Sequence, residues 1–288
     1  MPRNFMVHLW KPLRLGRATD RDGARSSWVW EPRSCVPVPA LSEELDGKIA
    51  PTRFMADYAE ARHGMLIPRL EILPPAQRRV WSELNGTPPG FVLYGGTALA
   101  LRLGHRHSED FDFFSNHEFV PDVLRREIRY LQGAEISQLD ANTLTAIVER
   151  DGPVKISFFG GLKLNPIQDP DTAKDNGIQV ASLIDVAATK LSTIQQRAQA
   201  RDYEDIAAIT STGITLVEVL GAAAAIYGKE FNGALSLKAL TYFDDGDLPS
   251  LSPTVKSNLR ELAGHVSLTD LPMIASKPGL KPDMGATK

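Results

Sequence analysis

Asp110-Phe111-Asp112 and, upstream, Gly95-Gly96-Thr97 are the residues whose types and spacing carry chemistry. Side chains alternate faces along a strand, so Asp110 and Asp112 share one face while Phe111 and Phe113 point to the other. Two carboxylates ~7 Å apart on one strand face repel each other unless a cation lies between them. Mg2+ takes one or two carboxylates together with substrate phosphates, which matches such a pair. A glycine pair between a strand and a helix lets the backbone approach a phosphate closely and aims the N–H groups of the helix N-terminus at it. The Thr97 hydroxyl would cap that helix or donate to a phosphate oxygen. Taken singly, each motif has a bland explanation: a structural turn in one case, a solvated acidic edge in the other. Together, with phenylalanines flanking the acids, they favour a metal-assisted site for a phosphate-bearing ligand.

Elements must position these residues. Residues 91–94 (Phe-Val-Leu-Tyr) form a β-prone run that stops at Gly95, residues 97–103 read as a helix, and residues 104–109 are a polar connection to a strand over 110–114. Pro74-Pro75 opens a helix to about Leu84, and residues 120–131 form an amphipathic helix. Residues 144–148 and 154–159 flank Asp151-Gly152, a hairpin signal. Residues 165–179 read as a loop. Ser182 or Asp185 then caps one long helix running to about Thr210, and further helices are expected over 216–227, 236–243 and 253–265. The expected fold is α/β: a small mixed sheet with flanking helices, then a C-terminal helical half, with the cleft between them. The expected divisions are a disordered leader over 1–50, rich in Arg, Pro and Ser, a catalytic core over 51–164, a helical half over 165–268 and a disordered tail over 269–288.

On that long helix, Lys190, Arg197 and Arg201 fall within about 40° of one another at helical pitch, and Asp205 follows Arg201 by one turn. A basic stripe is most often a wet surface with pairs such as Arg201–Asp205. Lys190, however, lies among Val186, Ala187, Ala188 and Leu191, a setting where a cation could neutralise a triphosphate. Arg106, between His105 and His107, is the better candidate for a nucleotide contact in the polar connection. Arg125, Arg126 and Arg129 read as a solvated helix face or an RNA contact. The Asp244–Asp247 stretch lacks the spacing of a calcium loop and reads as a helix-ending turn.

With 32 Lys+Arg against 35 Asp+Glu, the chain has no global basic field to drive nonspecific nucleic-acid binding, although a local basic cleft would suffice for such a substrate. Cys35 is the one cysteine, which excludes an intramolecular disulfide and a cysteine-based metal site. No apolar stretch has the length of a signal peptide or a membrane span, so the expectation is a cytoplasmic protein without a membrane partner.

The string from Tyr94 to Leu101, followed by His105-Arg106-His107-Ser108 and by Asp110 to Phe114, resembles the nucleotidyltransferase superfamily and, more narrowly, the AbiEii/AbiGii-type toxin nucleotidyltransferases of type IV toxin–antitoxin and abortive-infection systems. A second family pattern falls on Asp185, Lys190, Arg197, Arg201, Asp202 and Asp205. The resemblance covers roughly residues 70–265. It implies that Asp110 and Asp112 are catalytic ligands of Mg2+, or of Mn2+, and that Gly95, Gly96, Thr97, Arg106, Lys190, Arg197 and Arg201 bind nucleotide. It makes Lys190 a phosphate contact and Asp205 either a general base or an orienter of Arg201. It further implies an NTP substrate, a tRNA 3′ end or a protein hydroxyl as acceptor, and a cognate antitoxin. Many superfamily members carry a third carboxylate on a later strand; here Ser157 stands at that place, with Glu149 as a weak substitute. Two rivals follow: a pseudoenzyme that binds nucleotide or a partner without turnover, and a small-molecule, antibiotic-modifying adenylyltransferase.

Overall fold

The computed structural model describes residues 64–280. The leader expected over residues 1–50, and residues 281–288 of the expected tail, lie outside the described residues. The strands are β1 (Met65–Leu66), β2 (Val92–Tyr94), β3 (Phe111–Phe114), β4 (Glu135–Asp140), β5 (Thr143–Glu149), β6 (Pro153–Phe159), β7 (Asp171–Ala173) and β8 (Gln179–Val180). They form one sheet in the order β1-β7-β8-β2-β3-β6-β5-β4. The pairs β1–β7, β8–β2 and β3–β6 are parallel, and the remaining pairs are antiparallel.

The alternation along β3 works as expected. Phe111 and Phe113 enter the core on one face, where Trp81 of α1 (Pro75–Glu83) lies 6.2 Å from Phe111 and the Phe158 ring stacks on Phe113 at 5.2 Å. Asp112 belongs to the opposite face. There Tyr94 and Phe114 stack at 4.9 Å. The hairpin turn between β5 and β6 holds Asp151 at φ 59° and Gly152 at φ 143°, the left-handed geometry that its Asp-Gly pair favours. Edge strand β4 escaped the sequence reading. Its run of Glu-Ile-Ser-Gln-Leu-Asp is largely polar, and its pairing with β5 is irregular between Ile136 and Gln138.

Three expectations need correction. Residues 165–179 are not merely a loop: β7 lies inside them and β8 begins at their end, and both join the sheet although each is too short to show a period. The single long helix is two, α4 (Leu183–Thr193) and α5 (Ala200–Thr210), separated by residues 194–199. The break is stabilised by a distant group that no local pattern shows: the Asp247 carboxylate accepts the Ala200 N–H at 2.6 Å. The expected free tail is packed as far as Leu280. The Lys277 N–H donates to the Pro166 carbonyl at 2.7 Å, the Leu280 N–H donates to Asn116 Oδ1 at 2.9 Å, and Leu280 itself is buried.

Helix α2 (Gly95–Leu103) follows β2 directly, and α3 (Pro121–Glu127) replaces the longer helix expected over 120–131. Three further helices, α6 (Leu216–Tyr227), α7 (Gly233–Ala239) and α8 (Pro253–Gly264), complete the C-terminal half. Ser182 caps α4 through the Asp185 N–H, and Thr215 with Glu218 forms a capping box on α6. No helix among the described residues is long and apolar enough to cross a membrane.

Candidate active site

Strand β2 delivers the chain into the glycine turn. Tyr94 is extended and no side chain caps α2, so the first N–H groups of that helix have no capping partner. Gly95 sits at φ +73°, a region that L side chains rarely adopt. A Cβ there would lie 3.0 Å from Asp112 Oδ2. A Cβ on Gly96 would collide with the Arg106 guanidinium. The pair is therefore glycine because two functional groups, one anionic and one cationic, press against the turn.

The Thr97 hydroxyl bonds within the protein. It is buried, donates to the Asp110 carbonyl and receives the Ser108 hydroxyl at 2.7 Å. That chain of bonds ties the start of α2 to the start of β3 and fixes the turn against the aspartate strand. Thr97 therefore does not cap the helix, the capping alternative of the sequence reading.

The parallel register of β3 on β6 pairs Phe111 with Ile156 and Asp112 with Ser157. Continuing that register by one residue sets Asp110 beside Lys155, and their side chains pair at 3.0 Å. Asp112 is 5% exposed. Burial, and secondarily the Asp110 charge, push its carboxyl up to about 6. Lys155, a hydrogen bond from Ser157 and the more distant Lys190 oppose that rise without cancelling it. Burial and the neighbouring Asp110 charge thus disfavour the ionised form of Asp112.

The second constellation is a buried ion network across α4, α5 and the connection before β3. Lys190 Nζ bonds Asp202 at 2.8 Å and Asp205 at 2.6 Å. Arg197 donates to Asp202 at 2.7 and 3.1 Å. Arg106 grips Asp205 with a two-pronged contact at 2.7 and 2.9 Å, and His105 Nε2 adds a third partner at 2.8 Å. Asp205 is fully buried. Burial would raise its pKa, but Lys190, His105 and Arg106 outweigh that effect and hold the carboxyl far below its usual range. Asp202 is likewise lowered, with Lys190 and Arg197 overcoming burial.

This geometry revises the sequence reading in four places. Lys190, Arg197 and Arg201 do not form one stripe, because Arg197 lies in the break between the helices. Arg201 is exposed and makes no ion pair with Asp205 among the described residues. Asp205 orients Arg106 rather than Arg201, and a carboxylate held so far below neutrality is a poor proton acceptor, so a general-base role is not supported. Glu149 caps the hairpin turn through the Gly152 N–H at 2.6 Å, at the far end of the β5–β6 ladder from Ser157, so it does not substitute for a third acid.

The sequence reading also missed Lys155. The alternation of residues 154–158 shows that Lys155 and Ser157 share a face, but only the register places them against Asp110 and Asp112. A cavity of about 270 Å³ opens beside Arg197, walled in part by Tyr203 and Lys238. None of its lining residues belongs to the glycine turn or the aspartate pair.

Comparison with known proteins bears on this site. The family model described as "Nucleotidyl transferase AbiEii toxin, Type IV TA system" matches residues 79–272. An uncharacterized protein of Aquifex aeolicus is 33% identical over 158 residues, which is 54% of this chain and 74% of that protein. Among solved structures, the nucleotidyltransferase toxin MenT4 of Mycobacterium tuberculosis is similar at 18% identity and a TM-score of 0.47, over 67% of this chain and 83% of that one. A putative nucleotidyltransferase from H. pylori is similar at 18% identity and a TM-score of 0.39, over 66% and 92%.

Proposed function

The chain belongs to the AbiEii nucleotidyl transferase toxin family and is a nucleotidyltransferase, and from that premise we propose that it transfers a nucleotidyl group from an NTP to an acceptor hydroxyl with Asp110 and Asp112 as ligands of a divalent cation. One observation carries the reading. A carboxylate and a guanidinium, from Asp112 and Arg106, converge on the same Gly95-Gly96 turn, close enough that a Cβ on either glycine would press against them.

The residues present fit Mg2+ or Mn2+. Two hard oxygen ligands stand on one strand face, one of them buried, and the remaining positions would be filled by phosphate oxygens and water. When bound, the ion neutralises the triphosphate and the departing pyrophosphate.

The rest of the mechanism belongs to the chain's own groups. The uncapped N–H groups of α2 receive phosphate oxygens. Arg106, held by Asp205, places fixed positive charge beside Gly96, where negative charge develops on the leaving group. The acceptor oxygen forms a bond to the α-phosphorus, and the bond from that phosphorus to the pyrophosphate oxygen breaks in line. The acceptor proton passes to water, to which the half-exposed side of Asp110 is open. Lys190 acts one step back, by holding Asp202 and Asp205 in place.

The acceptor class we favour is a tRNA 3′ end or a protein hydroxyl, the cellular setting the cytoplasm, and the regulatory partner a cognate antitoxin, in keeping with a type IV toxin–antitoxin family. Purified protein incubated with each labelled NTP, Mg2+ and either total tRNA or protein extract should transfer label, and Asp110→Ala should not. Absence of transfer from every NTP, with wild type and variant alike, would overturn the reading. Growth arrest on expression supports the toxin, whereas antibiotic resistance without arrest would point to a small-molecule adenylyltransferase.

A further inference from the structure

Beside the Asp110–Asp112 pair, the neighbouring strand presents Lys155 and Ser157 and no acid. Ser157 donates a hydrogen bond to Asp112 and fixes its orientation. Lys155 Nζ lies 3.0 Å from Asp110 Oδ2. Two carboxylates and one ammonium leave this face with a charge of −1. One divalent ion brings it to +1. A second would bring it to +3, in a site with the Lys190 ammonium and the Arg106 guanidinium already close by on Asp202 and Asp205. Like charges that close are strongly unfavourable when partly desolvated.

We propose that Lys155 is a resident second cation of the centre, supplying at Asp110 the positive charge that a second divalent ion would otherwise bring, so that the centre takes one divalent ion. The proposal rests on the nucleotidyltransferase reading above. It accounts for the absence of an acid at position 157 without making the site defective: the charge a third carboxylate would help to bind is already covalently attached. The Lys155 side chain is 34% exposed and Asp110 38%, so the ammonium is free to pass from Asp110 to a phosphate oxygen once the divalent ion takes the carboxylate. An ordinary surface pair with this exposure would be worth little to anything.

The test uses the full chain and Mn2+ alone as probe, following free Mn2+ by electron paramagnetic resonance. Wild type should bind one Mn2+ per chain. Lys155→Met should bind one Mn2+ roughly tenfold more tightly, because a competing unit charge within a few ångströms has gone. Its transfer rate should nevertheless fall, since the triphosphate loses a cation. Lys155→Arg should restore both properties towards wild type, and Lys155→Glu, which creates the missing acid, should bind a second ion. Melting curves establish that each variant is folded. Two ions per wild-type chain, unchanged or weaker Mn2+ binding in Lys155→Met, or undiminished transfer in that variant would each overturn the proposal. A wild type that binds one Mn2+ with the expected variant pattern but transfers no nucleotide would overturn the enzymatic reading and leave the charge assignment standing.

Discussion

Replacing Asp112 by Asn should stabilise the metal-free protein while abolishing transfer. The carboxyl is 5% exposed, and burial together with the Asp110 charge raises it from 3.8 to about 6. Holding the group ionised at neutral pH therefore costs roughly 3 kcal/mol relative to the unfolded chain. The sign is that of a raised carboxylate. Below about pH 4 the group is protonated in both states and contributes nothing; as pH rises through about 6 the folded state must give up a proton it holds more tightly, and stability falls. Asn keeps the shape and still accepts the Ser157 hydroxyl, but never ionises. For a domain of this size 1 kcal/mol corresponds to roughly 2–4 °C, so Asp112→Asn should melt roughly 6–12 °C higher at pH 7.5 in EDTA. The gap should close towards pH 4. Adding Mg2+ with an NTP should raise the wild-type melting temperature and leave the variant unmoved. Thermal melts by circular dichroism at pH 4 and pH 7.5 provide the measurement. A variant that melts at or below wild type at pH 7.5, or a gap of equal size at both pH values, would refute the reasoning that this aspartate is a buried charge whose ionised form is disfavoured.

The ion network gives three further expectations. Asp205→Asn removes the shared acceptor of Lys190, Arg106 and His105 and should cost about 3–5 kcal/mol, seen in urea unfolding. Because the Asp205 pKa is lowered on folding, wild type should keep this contribution above about pH 4 and lose it as the solution is acidified further, whereas the variant should lose nothing there. Arg106→Lys keeps the charge but not the two-pronged grip on Asp205, so the KM for NTP should rise about tenfold or more and the melting temperature should fall. Lys190→Met should lower the melting temperature, since it removes the cation that two buried carboxylates share, and wild-type stability in that variant would show the network to be dispensable.

Much of the core was legible in sequence because it is written in local signals. The Tyr94–Gly95 junction, the Asp-x-Asp alternation with its phenylalanines and the Asp151-Gly152 hairpin each declare themselves within a few residues. What stayed hidden depends on contacts between distant segments. The break between α4 and α5 carries no glycine or proline, and it is stabilised by Asp247, nearly fifty positions further along. Asp205 meets Arg106 across about a hundred positions, which made its sequence neighbour Arg201 look like the natural partner. Lys155 could be put on a face by alternation, but its place beside Asp110 is a matter of strand register, and no residue in either strand announces that register. Thr97 had the type expected of a helix cap and was diverted by Ser108, a hydroxyl eleven positions away.

The glycine turn is best understood as a seam between two oppositely charged walls. On the Gly95 side stands Asp112, a buried carboxylate whose charged form is disfavoured and which we propose as a ligand of the divalent ion. On the Gly96 side stands Arg106, whose guanidinium is held in place by a carboxylate too deeply stabilised to release it under physiological conditions. On the proposed reading, a triphosphate along that seam would meet a cation held by the aspartates on one side and the Arg106 guanidinium on the other. The buried network serves this arrangement by keeping Arg106 fixed at the seam through Asp205, which Lys190 also holds. On this account Lys190 and Asp202, which never reach the turn, matter because they keep Asp205 ionised and in place, and damage to them should appear first as lost stability and only then as lost turnover.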